Sequence, residues 1–118
     1  MNQLPLPTQM PPLVVVGAGK LGQAVANAWS DAGGSLGAQV QSGMAWSPDG
    51  IVFEATEPTA ALGNLTRCID AGVPVVTGTT GWHQHIDIVR AAAAERGASV
   101  FWSTNFSPGV HATNLIAK

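Results

Sequence analysis

Val14-Val15-Val16-Gly17-Ala18-Gly19-Lys20-Leu21-Gly22 is the stretch whose reading decides the fold. Three branched apolar residues run into G-x-G-x-x-G, and a helical pattern follows. That order reads as the first strand, phosphate-binding turn and first helix of a dinucleotide-binding α/β unit. Gly17 is expected to make the tight turn. Gly19 lets the backbone approach a pyrophosphate, and Gly22 lets the helix pack closely on the strand. The helix start adds unpaired N–H groups and the positive end of its dipole. A plain tight turn is the competing reading. The flanking strand and amphipathic helix weigh against it.

Upstream, residues 1–12 carry Pro5, Pro7, Pro11 and Pro12, which fits a tail rather than a sheet or helix interior. Downstream, the spacing of Leu21, Val25, Ala28 and Trp29 predicts a helix over 20–32, ended by Gly33-Gly34. Residues 35–50 are the least readable part: a short second strand fits 39–41, and Pro48-Asp49-Gly50 is a turn. A third strand is expected over 51–55. Thr56 is a candidate N-cap for a helix running to Ala71, with Leu62, Leu65 and Ile69 inward. A fourth strand is expected over 73–77, then a helix over 84–96 with Ile86, Val89 and Ala93 on one side. A fifth strand follows over 98–102. After a loop, residues 110–118 read as the start of a fourth helix.

Strands alternating with helices predict a Rossmann-type doubly wound parallel sheet of about five strands, order 3-2-1-4-5, with helices on both faces. The topological switch then falls between strands one and four, and ligands bind beyond the strands' carboxyl ends. The loops on that rim are 17–22, 56–58, 78–81 and 103–109, also the segments richest in Gly, Thr, Ser and Asn.

The chain has 118 residues, 46 % of them apolar and 10 % charged. That is one domain, 13–118 after the tail, with enough length for a real core. With a net charge of −2 and scattered basic residues there is no basic stripe, so no nucleic-acid partner is expected. The lone Cys68 excludes an internal disulfide and fits a reducing compartment. No apolar run approaches the roughly 20 residues of a membrane span, and the N-terminus lacks signal-peptide character. A cytoplasmic protein is expected, with no membrane partner.

Four segments together carry a resemblance: Val16 through Gly22; Phe53-Glu54-Ala55-Thr56-Glu57-Pro58 with Leu62, Asn64, Leu65 and Cys68; Gly78-Thr79-Thr80-Gly81-Trp82; and Asn105-Phe106-Ser107-Pro108-Gly109-Val110. In this order and spacing the chain resembles the dihydrodipicolinate reductases, or 4-hydroxy-tetrahydrodipicolinate reductases, of lysine and diaminopimelate synthesis. The G-T-T-G-aromatic and N-F-S-x-G-V segments are much more specific than the glycine fingerprint.

The resemblance implies a domain that binds NADH or NADPH. Gly17, Ala18, Gly19, Lys20, Leu21 and Gly22 would hold the pyrophosphate. Gly78, Thr79 and Thr80 would lie by the nicotinamide and its ribose, and Ser103, Thr104, Asn105 and Phe106 would line the nicotinamide pocket. The substrate would be a small dicarboxylate, a cyclic imine reduced by hydride transfer. Three departures stand out. The family's glycine loop has one more residue than this one. About 20 residues past the fingerprint stands Gln41-Ser42-Gly43, neither the acid that suits a ribose 2′-hydroxyl nor the Arg that suits a 2′-phosphate. The family's following domain, with its substrate pocket and tetramer-forming sheet, has no counterpart here. The expectation is therefore a dissected cofactor domain, inactive alone, with no catalytic residue of its own.

Other residues have plainer readings. His83 and His85 are two apart, which suits a solvated helix start and not a metal pair; no metal is expected. His111 reads as solvent-facing. Cys68 lies between inward Leu65 and Ile69 as an inert thiol. Glu54 and Glu57 form a candidate carboxylate pair, with Glu54 able to point into the cleft mouth, though acid–base work is the minor reading. Trp82 and Trp102 flank the expected pocket, or belong to the core. Two competing functions remain: a stand-alone nucleotide-binding or scaffold module, and a relative of aspartate or homoserine dehydrogenase. The two specific segments argue against the latter.

Overall fold

A computed structural model describes residues 11–102 and 114–116 of the chain. The first strand, β1 (Leu13–Val16), is buried along its whole length and feeds helix α1 (Lys20–Asp31). Strand β2 is Leu36–Val40 and β3 is Ile51–Glu54. Helix α2 (Pro58–Ala71) follows, then β4 (Val75–Thr77). A single 3-10 turn (His83–His85) leads into α3 (Ile86–Arg96), and the sheet is completed by β5 (Val100–Trp102) and β6 (Asn114–Ile116).

Among the described residues the strands form one sheet, ordered β2-β1-β3-β4-β5-β6. The pairs from β2 to β5 are all parallel. Strands step away from β1 in both directions, the doubly wound arrangement expected. The order itself differs from 3-2-1-4-5, because β3 lies against β1 and not outside β2. Residues 41–50 form no helix. The connection from β2 to β3 therefore crosses β1 as an irregular segment and sets β3 on the far edge of β1. The order therefore reverses between β1 and β3, and the crevice opens there.

The end of the chain gives a second correction. A fourth helix was expected over 110–118, yet Asn114–Ile116 forms a strand antiparallel to β5, with Phe101 opposite Leu115. The open edge of β5 offers a row of unpaired N–H and C=O groups, and the strand pairs with them. Residues 110–113, 117 and 118 lie outside the described residues.

Alternation along the strands divides the core. Val14, Val16, Val52, Val75 and Val100 face α2 and α3, where Leu65, Cys68, Ile69, Val89 and Ala93 are buried. Leu13, Val15 and Phe53 face Ala26 of α1. Burial of each Leu or Ile side chain on this scale contributes about 2 kcal/mol. Helix α1 turns Gly22 and Ala26 inward, with Leu21, Val25 and Trp29 half-buried beside them; Ala28, expected on this face, is exposed. Helices α2 and α3 both end on glycines in the left-handed conformation, Gly72 and Gly97. Thr56 is not the cap of α2. That position belongs to Glu57, followed by Pro58, because the Thr56 side chain is drawn elsewhere. No helix among the described residues is long and apolar enough to cross a membrane.

Candidate functional site

The carboxyl ends of β1, β3 and β4 deliver three loops to one rim. Gly17 opens the first. Its N–H donates to the Val40 carbonyl at 2.9 Å, and the Ala55 N–H donates to the Val16 carbonyl at 2.8 Å. Gly17 has φ +129°, and a Cβ on it would lie 1.9 Å from the Ala55 carbonyl oxygen. Glycine is needed there for the close passage of two backbones as much as for the turn. A Cβ on Gly22 would lie 2.5 Å from the Gly17 carbonyl oxygen, so α1 sits directly on its own loop.

Gly19 differs from both. It is the N-cap of α1 in extended backbone, without a side-chain cap bond and with no acid in the first turn. Among the described residues nothing lies within 4 Å of where its Cβ would be. The first-turn N–H groups of α1 have no intrahelical partners and suit an anion. They border a cleft of about 490 Å³ lined by Gly17, Ala18, Gly19, Ser42, Ala55, Thr56, Glu57 and Ala60. A second cavity of about 180 Å³ shares Gly17, Ser42, Thr56 and Ala60 and reaches Gln41, Met44 and Trp46. Trp46 is held there by Arg67, whose guanidinium lies 4.9 Å from the ring centroid and donates to the Trp46 carbonyl at 3.1 Å.

Of the sequence-derived residues, Gly17, Ala18 and Gly19 line the cleft. Lys20, Leu21 and Gly22 form the helix start behind it, with Lys20 exposed. Gly78, Thr79 and Thr80 follow β4 on the adjacent rim and line neither cavity. Their loop is fixed by Gly81, whose φ is +84° and whose Cβ would lie 2.8 Å from Pro58 Cγ at the start of α2. Ser103, Thr104, Asn105 and Phe106, and also His111, lie outside the described residues.

Sequence reasoning missed the centre of this rim. Register places Val16, Glu54, Thr77 and Trp102 in one transverse row at the carboxyl end of the sheet. Glu54 is 0 % exposed. It does not point into open cleft, as the sequence had allowed. Its Oε1 accepts hydrogen bonds from the hydroxyls of Thr77 (2.6 Å) and Thr79 (2.7 Å). Its Oε2 accepts from the Thr56 hydroxyl and from Asn64 Nδ2 (3.2 Å). A carboxylate has about four acceptor sites, and all are used. The network continues into the backbone: the Thr56 N–H donates to Thr79 Oγ1 at 2.8 Å, and the Thr79 N–H to Thr77 Oγ1 at 3.1 Å. The signal for this nest was an acid ending a buried apolar strand, with Thr residues at alternate positions at the end of the next.

The aromatics beside it belong to the core. Trp82 is fully buried and meets Trp102 edge-on at 6.0 Å. His83 stacks on Trp82 at 4.8 Å, and its Nε2 is buried without a hydrogen-bond partner among the described residues. It is not the solvated helix start expected, because the 3-10 turn that precedes α3 folds its ring over Trp82. Cys68, on the buried side of α2, has its thiol pushed up to about 12, first by burial and then by the charge of Glu54, with Arg67 opposing. Among the described residues no group of three or more His, Cys, Asp or Glu comes together in a way that suits a metal ion.

Curated proteins named 4-hydroxy-tetrahydrodipicolinate reductase are similar to this chain. One from Thiobacillus denitrificans is 38 % identical over 103 residues, 86 % of this chain and 36 % of that protein. One from Mycolicibacterium vanbaalenii is 41 % identical over 81 residues, 67 % of this chain and 31 % of that protein. One from Bifidobacterium animalis subsp. lactis is 39 % identical over 75 residues, 58 % of this chain and 30 % of that protein. The chain thus spans about a third of the length of the curated relatives it matches. The family described as dihydrodipicolinate reductase, N-terminus, matches residues 47–106, which is just over half of the chain, and the chain belongs to that family.

Proposed function

We propose that this chain is the nicotinamide-dinucleotide-binding part of an NADH- or NADPH-dependent reductase whose substrate is a cyclic imine dicarboxylate of the dihydrodipicolinate class. The observation that carries the reading is the cleft at the reversal point of the sheet, bordered by Gly17, Ala18 and Gly19 at the start of α1 and by Thr56 and Glu57 opposite. Open space beside Gly19 and the uncapped helix start suit a pyrophosphate. Residues 17–22 would hold that pyrophosphate. The neighbouring cavity, with Met44 and Trp46, would take the adenosine end. Gly78, Thr79 and Thr80 would border the nicotinamide, with Ser103, Thr104, Asn105 and Phe106 completing that wall. Thr79 acts there through its backbone carbonyl, since its hydroxyl is committed to Glu54 and its N–H to Thr77 Oγ1. A bound NADH or NADPH supplies the hydride. The chain's own residues fix its phosphates and ring.

In this reading the protein is cytoplasmic, substrate binding and homotetramer formation lie in a separate domain, and this chain alone does not turn over substrate. A second reading, a nucleotide-binding module without catalysis, is favoured by the sealing of Glu54 from solvent. Titration with NADH and NADPH, followed by fluorescence of the nicotinamide ring, tests the first reading. Saturable binding of either is expected. No binding at millimolar nucleotide would overturn it. A nucleotide-bound chain that stays a non-catalytic module in every assembly with substrate present would favour the second.

A further inference from the structure

We propose that Glu54 is the positioning residue of the nucleotide site: its carboxylate fixes the loop after β4 against the loop after β3, and so sets the nicotinamide end of the cleft. The proposal rests on the nucleotide reading given above.

The geometry is unusual for a residue with only a packing role. Leaving a buried carboxylate without donors costs several kcal/mol, so the chain supplies four. They come from three elements: Thr56 after β3, Asn64 on α2, and Thr77 and Thr79 at the end of β4. Each donor ties a different piece of the rim to one point. Thr56 lines both cavities. Thr79 lies in the loop with Gly78 and Thr80. The Thr56 N–H then closes a direct bond between the two loops through Thr79 Oγ1, whose own hydrogen is committed to Glu54. With that hydrogen directed at the carboxylate, the Thr79 oxygen is left to accept. The separation of the loops therefore follows from the orientation of one hydroxyl, and that orientation follows from Glu54. On the far side of the cleft, residues 17–19 make none of the nest's bonds, and neither do Gln41, Met44 and Trp46 of the smaller cavity, where Thr56 and Asn64 form only the near wall.

That asymmetry gives the test. Glu54→Gln replaces an acceptor by an N–H₂ group facing Asn64 or the Thr hydroxyls. In the unliganded chain, amide exchange at Thr56 and Thr79 should quicken by about tenfold while Val15 and Val52 keep their protection. NADH affinity should fall by about tenfold, and ADP-ribose affinity should stay within about twofold. Thr77→Val should weaken NADH binding in the same selective way, and Thr77→Ser, which keeps the hydroxyl, should restore it. This pair also decides the matter if Glu54→Gln does not fold. Equal loss of both ligands, unchanged NADH affinity, or uniform loss of amide protection would each overturn the proposal. If the wild-type chain binds neither ligand, the nucleotide reading falls. The exchange data then still decide whether Glu54 ties the two loops.

Discussion

The Cα of Gly17 faces the carbonyl oxygen of Ala55 so closely that a methyl group on it would sit 1.9 Å from that oxygen. Backbone meets backbone there, and neither can swing aside as a side chain does. The φ of +129° adds a second barrier for any other residue. Gly17→Ala should therefore destabilise the fold by about 3 kcal/mol, the sum of strain and overpacking. Urea unfolding followed by tryptophan fluorescence measures it.

Gly19 should behave in the opposite way. Its missing Cβ faces open space, and its φ is an ordinary one. Gly19→Val should cost about 1 kcal/mol, the loss expected when an N-cap glycine gives way to a poorly capping valine, with no steric clash added to it. The added side chain would fill the space beside the helix start. NADH affinity should drop by about tenfold or more, read by nucleotide titration on a chain shown by the same unfolding curve to be intact.

The contrast between these two glycines marks how far the sequence could be read. Local pattern was enough for β1, α1 and the fold class, because apolar strands and helical spacing are short-range signals. It was enough for Leu65, Cys68 and Ile69 as the inner face of α2. It was not enough for the strand order, which rests on long-range pairing of β3 with β1 that no pattern in residues 41–50 announces. Nor could it find the Glu54 nest. Thr77 and Thr79 lie 23 and 25 residues away in sequence, and only the register of β3 with β4 brings them to Glu54. His83 was misjudged for a related reason: its environment is set by Trp82 and Trp102, and spacing within one helix says nothing of that.

Ser42 is placed to decide cofactor choice in the proposed site. It is exposed after β2 and lines both the main cleft and its smaller neighbour. Neither an acid nor an arginine stands at 41–43 to read the adenosine ribose. Wild type should discriminate weakly between NADH and NADPH. Ser42→Arg should shift the ratio of affinities toward NADPH by about tenfold, by pairing with the 2′-phosphate. Ser42→Asp should shift it toward NADH. Parallel titrations of the three proteins measure the ratios.

Cys68 makes the folded chain sensitive to alkali. Its thiol is pushed from an ordinary 9.0 up to about 12, by burial first and the Glu54 charge second. Below pH 9 the folded and unfolded chains both hold the proton, and stability does not respond to this group. Between pH 9 and about 12 the unfolded thiol ionises while the folded one stays neutral, so rising pH favours unfolding. The Tm should fall across that window. Cys68→Ala should lower the Tm at neutral pH, through a small cavity worth about 1 kcal/mol, and should flatten the decline at high pH. The same burial makes the thiol inert. At pH 8 a thiol-specific reagent should leave the folded chain unmodified and react fully once the chain is unfolded in urea, and rapid labelling of the folded chain would contradict the buried, neutral thiol.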